Sequence, residues 1–296
     1  MIKIFAAVSV GIVAISFASI FIKFCDDVPS IMIATYRLTL SSVILLIIAR
    51  GKGIRLSSFT GRHLLMGMLG GFFLSLHFSF WISSLKFTSV ASSVVLVATN
   101  PIFVGIFSWL FFRERQPVEL VVGIILSFSG SIILAIGDSG LRGLSVQNPS
   151  FLLGDILALL GAIMASGYLM VGSKLRETMD VLSYTSMVYT FSACFLLIAS
   201  LSSGIPFAGY KPSSYVYMVL LAVIPQLIGH TAFNWALKHL KASMVAITIL
   251  GEPIGASMLA YIIFRETIKT SQSIGIILIF FAIIIGSRKG KKTTAK

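Results

Sequence analysis

Acidic side chains are scarce in this chain: ten Asp and Glu stand among 296 residues, against 23 Lys and Arg. Charge of either sign makes up 11% of the sequence, hydrophobic residues make up 57%, and the mean hydropathy is +0.99. Too little polar surface is left to coat a water-soluble globule, so a soluble fold is excluded and lipid must solvate most of the exterior. Cysteine is almost absent. Cys25 and Cys194 cannot build a disulfide framework and read as small apolar fillers. Catalytic and metal motifs are missing too, with no HExxH, no GxxxxGKS or GxxxxGKT, no GxSxG and no Cys/His cluster at ligand spacing. An ATP-driven pump is thereby excluded for this chain alone, and no catalytic residue, cofactor or metal is expected.

Long apolar runs are what the chain has in abundance. Bounded by charge, Gly or Pro, ten of them fall at about residues 4–24, 29–49, 63–85, 89–112, 118–137, 151–173, 181–203, 213–237, 242–264 and 271–287. A run of roughly 20 residues crosses the hydrocarbon as a helix, because the helix satisfies every backbone N–H and C=O internally. Barrel strands are excluded, since these runs are too long and alternate too little. Lys3 before an apolar run resembles a signal peptide, but the run continues to Ile22 with no small-residue cleavage site, which reads as a retained first span. The longest connection, "GLRGLSVQNPS" at 140–150, lies midway along the chain. It divides the sequence into a five-span unit at 1–138, an extracytoplasmic linker at 139–150, a second five-span unit at 151–287 and a basic cytoplasmic tail at 288–296.

The net charge of +13 invites a nucleic-acid partner that its distribution argues against. With the N-terminus in the cytoplasm, sixteen of the 23 Lys and Arg fall on that side, six on the other, and Arg37 within a span. This bias is the positive-inside signature and sets both termini in the cytoplasm of a multi-pass protein of the inner cell membrane. No nucleic acid is expected, because no soluble face exists to carry a basic footprint. The expected partners are membrane lipid and a small-molecule substrate, with the chain a monomer or a weak homo-oligomer.

One stretch is written twice. "LVATNPIFVGIFSWLFFRER" at 96–115 and "TILGEPIGASMLAYIIFRET" at 248–267 align at an offset of 152, which also carries Leu85-Lys86 onto Leu237-Lys238 and Gly123 onto Gly275. Five spans per unit is an odd number, so the second unit enters the membrane upside down and the two form an inverted-topology repeat. Units of opposite orientation can exchange conformations, which gives an inward-open and an outward-open state of similar energy. That is the architecture of alternating access.

A mid-helix Pro followed by an apolar stretch ending in Arg-Glu or Glu-Arg, doubled in a ten-span chain, resembles the drug/metabolite transporter superfamily and specifically its EamA (RhaT-like) branch. The likeness covers essentially the whole chain and extends to Arg37 in "ATYRLTLSS" and to "GDILALLGAIMASGY" from Gly154. The first span departs from it, reading "AISFASIF" without the Trp-Gly often found there, so substrates of better-known members are not carried over. The resemblance implies an all-α membrane protein, ten transmembrane helices as two five-helix inverted-topology EamA repeats, around a cavity lined mainly by the third, fourth, eighth and ninth spans. It also implies a secondary-active transporter of small organic metabolites. Efflux of an amino acid or similar zwitterion is the favoured reading. Uptake or exchange of a nucleoside, vitamin or adenosyl compound is the alternative, and an intramembrane enzyme or a channel the remote one.

Candidate residues follow from the cost of polarity in lipid. Asn100 and Glu252 lie about ten residues into their spans, near 15 Å deep at about 1.5 Å per residue. Pro101 and Pro253 after them each remove a backbone bond and bend the helix, as a kink or gate. A carboxyl at that depth is functional by default: Glu252 holds a substrate ammonium, carries a coupling proton, or is a paired structural group answering Arg37. Gln226, His230 and Asn234, spaced by four, stack on one face of the eighth span, and His77 and Trp81 repeat that spacing on the third. Each His reads equally as an interhelical hydrogen-bonding residue or a substrate contact. Arg37 either snorkels outward or meets an ion pair or a substrate carboxylate. Tyr168 shares a small-residue face with Gly161 and Ala165 and is a candidate for the cavity wall, while Gly251 and Gly255 read as close-packing sites.

Overall fold

A computed structural model describes residues 2–54, 59–88, 90–113, 116–139, 149–264 and 270–287. Most of the expected linker, all of the basic tail and the charged pairs Glu114-Arg115 and Arg265-Glu266 lie outside those residues. Helices follow the apolar runs: α1 (Ile2–Ser16) and α2 (Ala18–Phe24), α3 (Ser30–Gly51), α4 (Gly61–Phe87), α5 (Val90–Val97) and α6 (Asn100–Phe112), and α7 (Val118–Ser139) in the first half. The second half holds α8 (Pro149–Thr178), α9 (Val181–Ser202), α10 (Pro212–Leu221) running through a π-helix (Ala222–His230) into α11 (Thr231–Ala236), α12 (Ala242–Ile249) and α13 (Gly251–Phe264), and α14 (Thr270–Ser287). Among the described residues eight helical stretches are long and apolar enough to cross a membrane, and shorter apolar segments at Val118–Gly130 and Ser273–Ala282 accompany them. The protein is therefore a multi-pass, all-helical membrane protein.

Local chemistry sets the helix ends. Thr60 caps α4 by accepting from the His63 amide, and Asp180 caps α9 by accepting from the Ser183 amide at 3.0 Å, each a cap that contributes about 1 kcal/mol. The Asn-Pro and Glu-Pro pairs were expected to bend continuous helices, and the structure corrects this. Instead α5 stops at Val97 and a new helix begins at Asn100, just as α12 stops at Ile249 and α13 begins at Gly251, with each Pro in the first turn of the new helix. A first-turn Pro lacks an N–H that would have had no intrahelical partner anyway, so it starts a helix more cheaply than it bends one.

Polarity is inside out. Ile47, Trp109, Leu110, Phe111, Ile262 and Phe280 project from the exterior, while Arg37 and Arg176 are the largest fully buried side chains. Buried hydroxyls join the halves across α3 and α9, where Thr35 meets Ser200 and Ser42 meets Thr190, both at 2.8 Å.

Helix pairing obeys the repeat. The third helix of each half packs on the first of the other, α4 against α8 and, reciprocally, the π-helix and α11 against α1; α3 faces α9 and α7 faces α14. Glycines permit the closest approaches. A Cβ on Gly251 would sit 2.9 Å from Ile12 and one on Gly255 would strike Ser16, so the close-packing reading of both holds, with α13 lying on α1. A Cβ on Gly167 of α8 would come within 2.8 Å of the Phe73 ring of α4. Of the two cysteines, Cys25 is buried as expected, whereas Cys194 lies exposed on the outer face of α9 and fills no gap.

Candidate functional site

Where the broken helices meet their opposite halves, a small chamber of about 40 Å³ lined by residues of both repeats, several of them polar, lies between them. Its walls pair across the repeat offset: Val97 faces the role of Ile249, Asn100 that of Glu252, and Trp81 that of Phe233, each 152 residues apart and all lining the cavity. The serines that hold the break points are reciprocal too. Ser166 Oγ of α8 donates to the Asn100 carbonyl at 3.0 Å, and Ser16 Oγ of α1 reaches the Glu252 carbonyl at 3.5 Å, each hydroxyl also bonding its own helix at 2.7 Å. A hydroxyl from the other half thus bonds the first turn of each restarted helix and ties the break point to the opposite repeat.

Of the nine expected binding residues, eight line this chamber: Arg37 of α3, His77 and Trp81 of α4, Asn100 of α6, Tyr168 of α8, and then His230, Asn234 and Glu252 from the last helices. Gln226, the ninth, stands behind the wall and accepts from Arg37 Nε at 2.8 Å. Its separation corrects the expected single face of Gln226, His230 and Asn234. Pro225 within the eighth span has no N–H to give, so the segment widens into the π-helix and a spacing of four no longer closes one turn. Gln226 therefore turns to α3 while His230 and Asn234 face the chamber.

Each polar side chain is tied to a neighbour. Arg37 is wholly buried and does not snorkel; its guanidinium lies 4.0 Å over the Phe78 ring. Phe78 in turn meets His230 edge to face at 5.3 Å. His77 Nδ1 lies 2.9 Å from the Gly161 carbonyl, an acceptor only, so that nitrogen carries the proton, and the imidazole lies parallel to the Trp81 ring. Below them a network runs from Tyr168 OH to Asn234 Oδ1 at 2.7 Å and from Asn234 Nδ2 to Tyr189 OH at 3.2 Å. Tyr189 stands 152 residues after Arg37. The repeat has thus placed a cation in one half and a phenol in the other at equivalent positions, as it has placed an amide opposite the carboxyl of Glu252.

A wider cavity of about 790 Å³ opens at one end of the bundle along the same three helices, α4, α6 and α8. Phe73, Phe107 and Met170 line it, with Arg62, His63 and Lys174 at its mouth. Phe73, one turn from His77 and packed on Gly167, lies between the two spaces. The α2–α3 turn carries a second polar cluster: Asp27 accepts from the Lys211 amide at 2.7 Å and from Ser214 Oγ at 2.5 Å, and Asp26 pairs with Lys211 Nζ at 3.0 Å. Arg176, one of the sixteen basic residues counted on the cytoplasmic side, is buried, donating from Nε to the Asn234 carbonyl at 2.9 Å and to the Met179 carbonyl. Sequence reasoning also passed over Phe78, Ser16, Ser166 and Tyr189. Only Pro225 beside Gln226 and the tyrosines of the seventh span gave a readable signal for this network.

Comparisons with known proteins agree with one another. The EamA-like transporter family matches at residues 2–136 and 152–288. An uncharacterized transporter of Clostridium kluyveri is 25% identical over 71% of this chain and 67% of its own. The uncharacterized transporter YxxF of Bacillus subtilis is 25% identical over 78% and 72%. A thiamine-repressible mitochondrial transport protein of Saccharomyces cerevisiae, THI74, is 26% identical over 72% of this chain and 60% of its own. A solved crystal structure superposes with a TM-score of 0.77 at 16% identity over 95% of this chain and 96% of that one, a likeness of fold. By its doubled family match and its transporter relatives, the chain belongs to the EamA-like transporter family.

Proposed function

We propose that this membrane transporter is a secondary-active carrier of small organic metabolites, built of ten transmembrane helices in two inverted repeats, and that it works by alternating access. The observation that carries the reading is the chamber: a cation, a carboxyl, two imidazoles and two amides converge on one small space where the two halves meet. Polar groups are too costly at membrane depth to be gathered there for packing alone. Under the positive-inside topology the basic mouth of the 790 Å³ cavity faces the cytoplasm, where solute is loaded in efflux, the favoured direction, or released in uptake. The opposite charges of Arg37 and Glu252 favour an amino acid or similar zwitterion. Counterflow tests the carrier mechanism directly. Proteoliposomes preloaded with the unlabelled solute should accumulate the labelled one transiently above equilibrium, whereas a linear, non-saturating flux would identify a channel and release of a chemically altered solute an enzyme.

A further inference from the structure

Five polar atoms around the chamber are buried and without a hydrogen-bond partner among the described residues: Nη1 and Nη2 of Arg37, Nε1 of Trp81, Nε2 of Gln226 and Oδ1 of Asn100. Four of the five are donors, and their side chains are buried to 97% or more, with exposures of 0% for Arg37, 3% for Trp81 and 0% for Gln226. A buried donor left unpaired is expensive, and a charged one more so. Three of them, on Arg37 and Trp81, belong to side chains that line the chamber and point to an acceptor bound there.

The geometry says what that acceptor is. Arg37 is locked by the bond from Nε to Gln226 Oε1 at 2.8 Å and by the Phe78 ring 4.0 Å beneath it. Because Oε1 must be the end that accepts from Nε–H, the Gln226 amide nitrogen is the end left over. One edge of the guanidinium is taken and one face is covered, so the Nη1 and Nη2 edge remains, two parallel N–H donors at the spacing of two carboxylate oxygens. Glu252 does not occupy that edge, since both nitrogens are unpartnered. A phosphate dianion would set two negative charges against a single guanidinium with Glu252 in the same wall, and a chamber of 40 Å³ takes a planar carboxylate more readily than a tetrahedral group.

We infer that Arg37 and Trp81 form a clamp for a carboxylate of the transported solute, gripped end-on by Arg37, which Gln226 holds from behind, with Asn100 Oδ1 and Glu252 left as acceptors for its donor or cationic end. The inference deepens the transporter reading and rests on it. The clamp residues come from one repeat and Gln226, which fixes Arg37, from the other, so a bound carboxylate is tied to both halves through the Arg37–Gln226 bond.

The test is ligand-induced thermal stabilisation of the purified full-length protein by the twenty standard L-amino acids and small carboxylic acids, each against its own carboxamide. At least one acid should raise the melting temperature, with its carboxamide binding at least about tenfold more weakly. Arg37→Lys, which keeps the charge but not the fork, should weaken the acid about tenfold or more and leave the carboxamide unaffected. Trp81→Phe, which keeps an aromatic ring but removes the N–H together with part of the indole, should weaken the acid by about threefold to tenfold, and more than its carboxamide, and keeps the test intact where Arg37 variants fold poorly. Silence of every acid, or carboxamides matching their acids, overturns the clamp. Counterflow of a neutral or purely cationic solute, unchanged in Arg37→Lys, also overturns it while leaving the transporter reading in place; absence of carrier kinetics for any solute defeats the transporter reading itself.

Discussion

Glu252 and Arg37 show how far a single side chain could be read before any coordinates. Both were legible because an ionisable group deep in an apolar run has no bland explanation. What their partners would be was not legible. Phe78 under the guanidinium and the serines at the break points are ordinary residues of a membrane helix, and nothing in an apolar run distinguishes a ring beneath a cation from a ring facing lipid. Arg176 misled for a related reason: a basic residue near a helix end looks like a topology charge whether it reaches water or folds back onto a carbonyl. At this scale the account makes one firm prediction. Glu252→Gln keeps the shape of the chamber and removes its one carboxylate, so transport should fall about tenfold or more, the worth of a charge-assisted hydrogen bond, and its dependence on pH should flatten. Unchanged rate and unchanged pH profile would remove Glu252 from the mechanism.

Elements were readable to the extent that they obey one period. Apolar runs of span length gave the helices, and the doubled Asn-Pro and Glu-Pro gave the two breaks, though as bends rather than restarts. The π-helix escaped because the spacing of Gln226, His230 and Asn234 fits an α-helix, and only the loss of the Pro225 N–H widens the turn. Loops carry the other unforeseen feature, the cluster in which the α2–α3 turn of one half caps the start of α10 in the other. The hydrogen bond from Lys211 Nζ holds Asp26 below the ordinary aspartate value of 3.8, and those from Ser214 and the Lys211 amide hold Asp27 below it. Acids lowered in the native state contribute stability that is fully present above 3.8 and is lost as pH falls through the lowered values. The melting temperature in detergent should therefore decline on acidification below about pH 4. Asp27→Ala should lower it at pH 7 and flatten the acid limb; an unchanged acid limb in that variant would show that the cluster does not tie the halves together.

The whole molecule is where sequence and structure meet most closely, because an offset of 152 residues is both a pattern in the chain and a relation between walls of the chamber. The offset already set amide against carboxyl at 100 and 252; the second asymmetry, cation against phenol at 37 and 189, went unread because no shared motif draws the eye to that pair. In the proposed carrier, equivalent folds with unequal side chains take two similar conformations around one polar site that holds the substrate. The most direct test of that claim is thiol labelling of Asn100→Cys in a chain with Cys25 and Cys194 replaced by Ala, using a membrane-impermeant reagent on sealed vesicles of each orientation. Alternating access predicts labelling from both sides, as the chamber opens to each in turn. Labelling from one side only, or from neither, would contradict it.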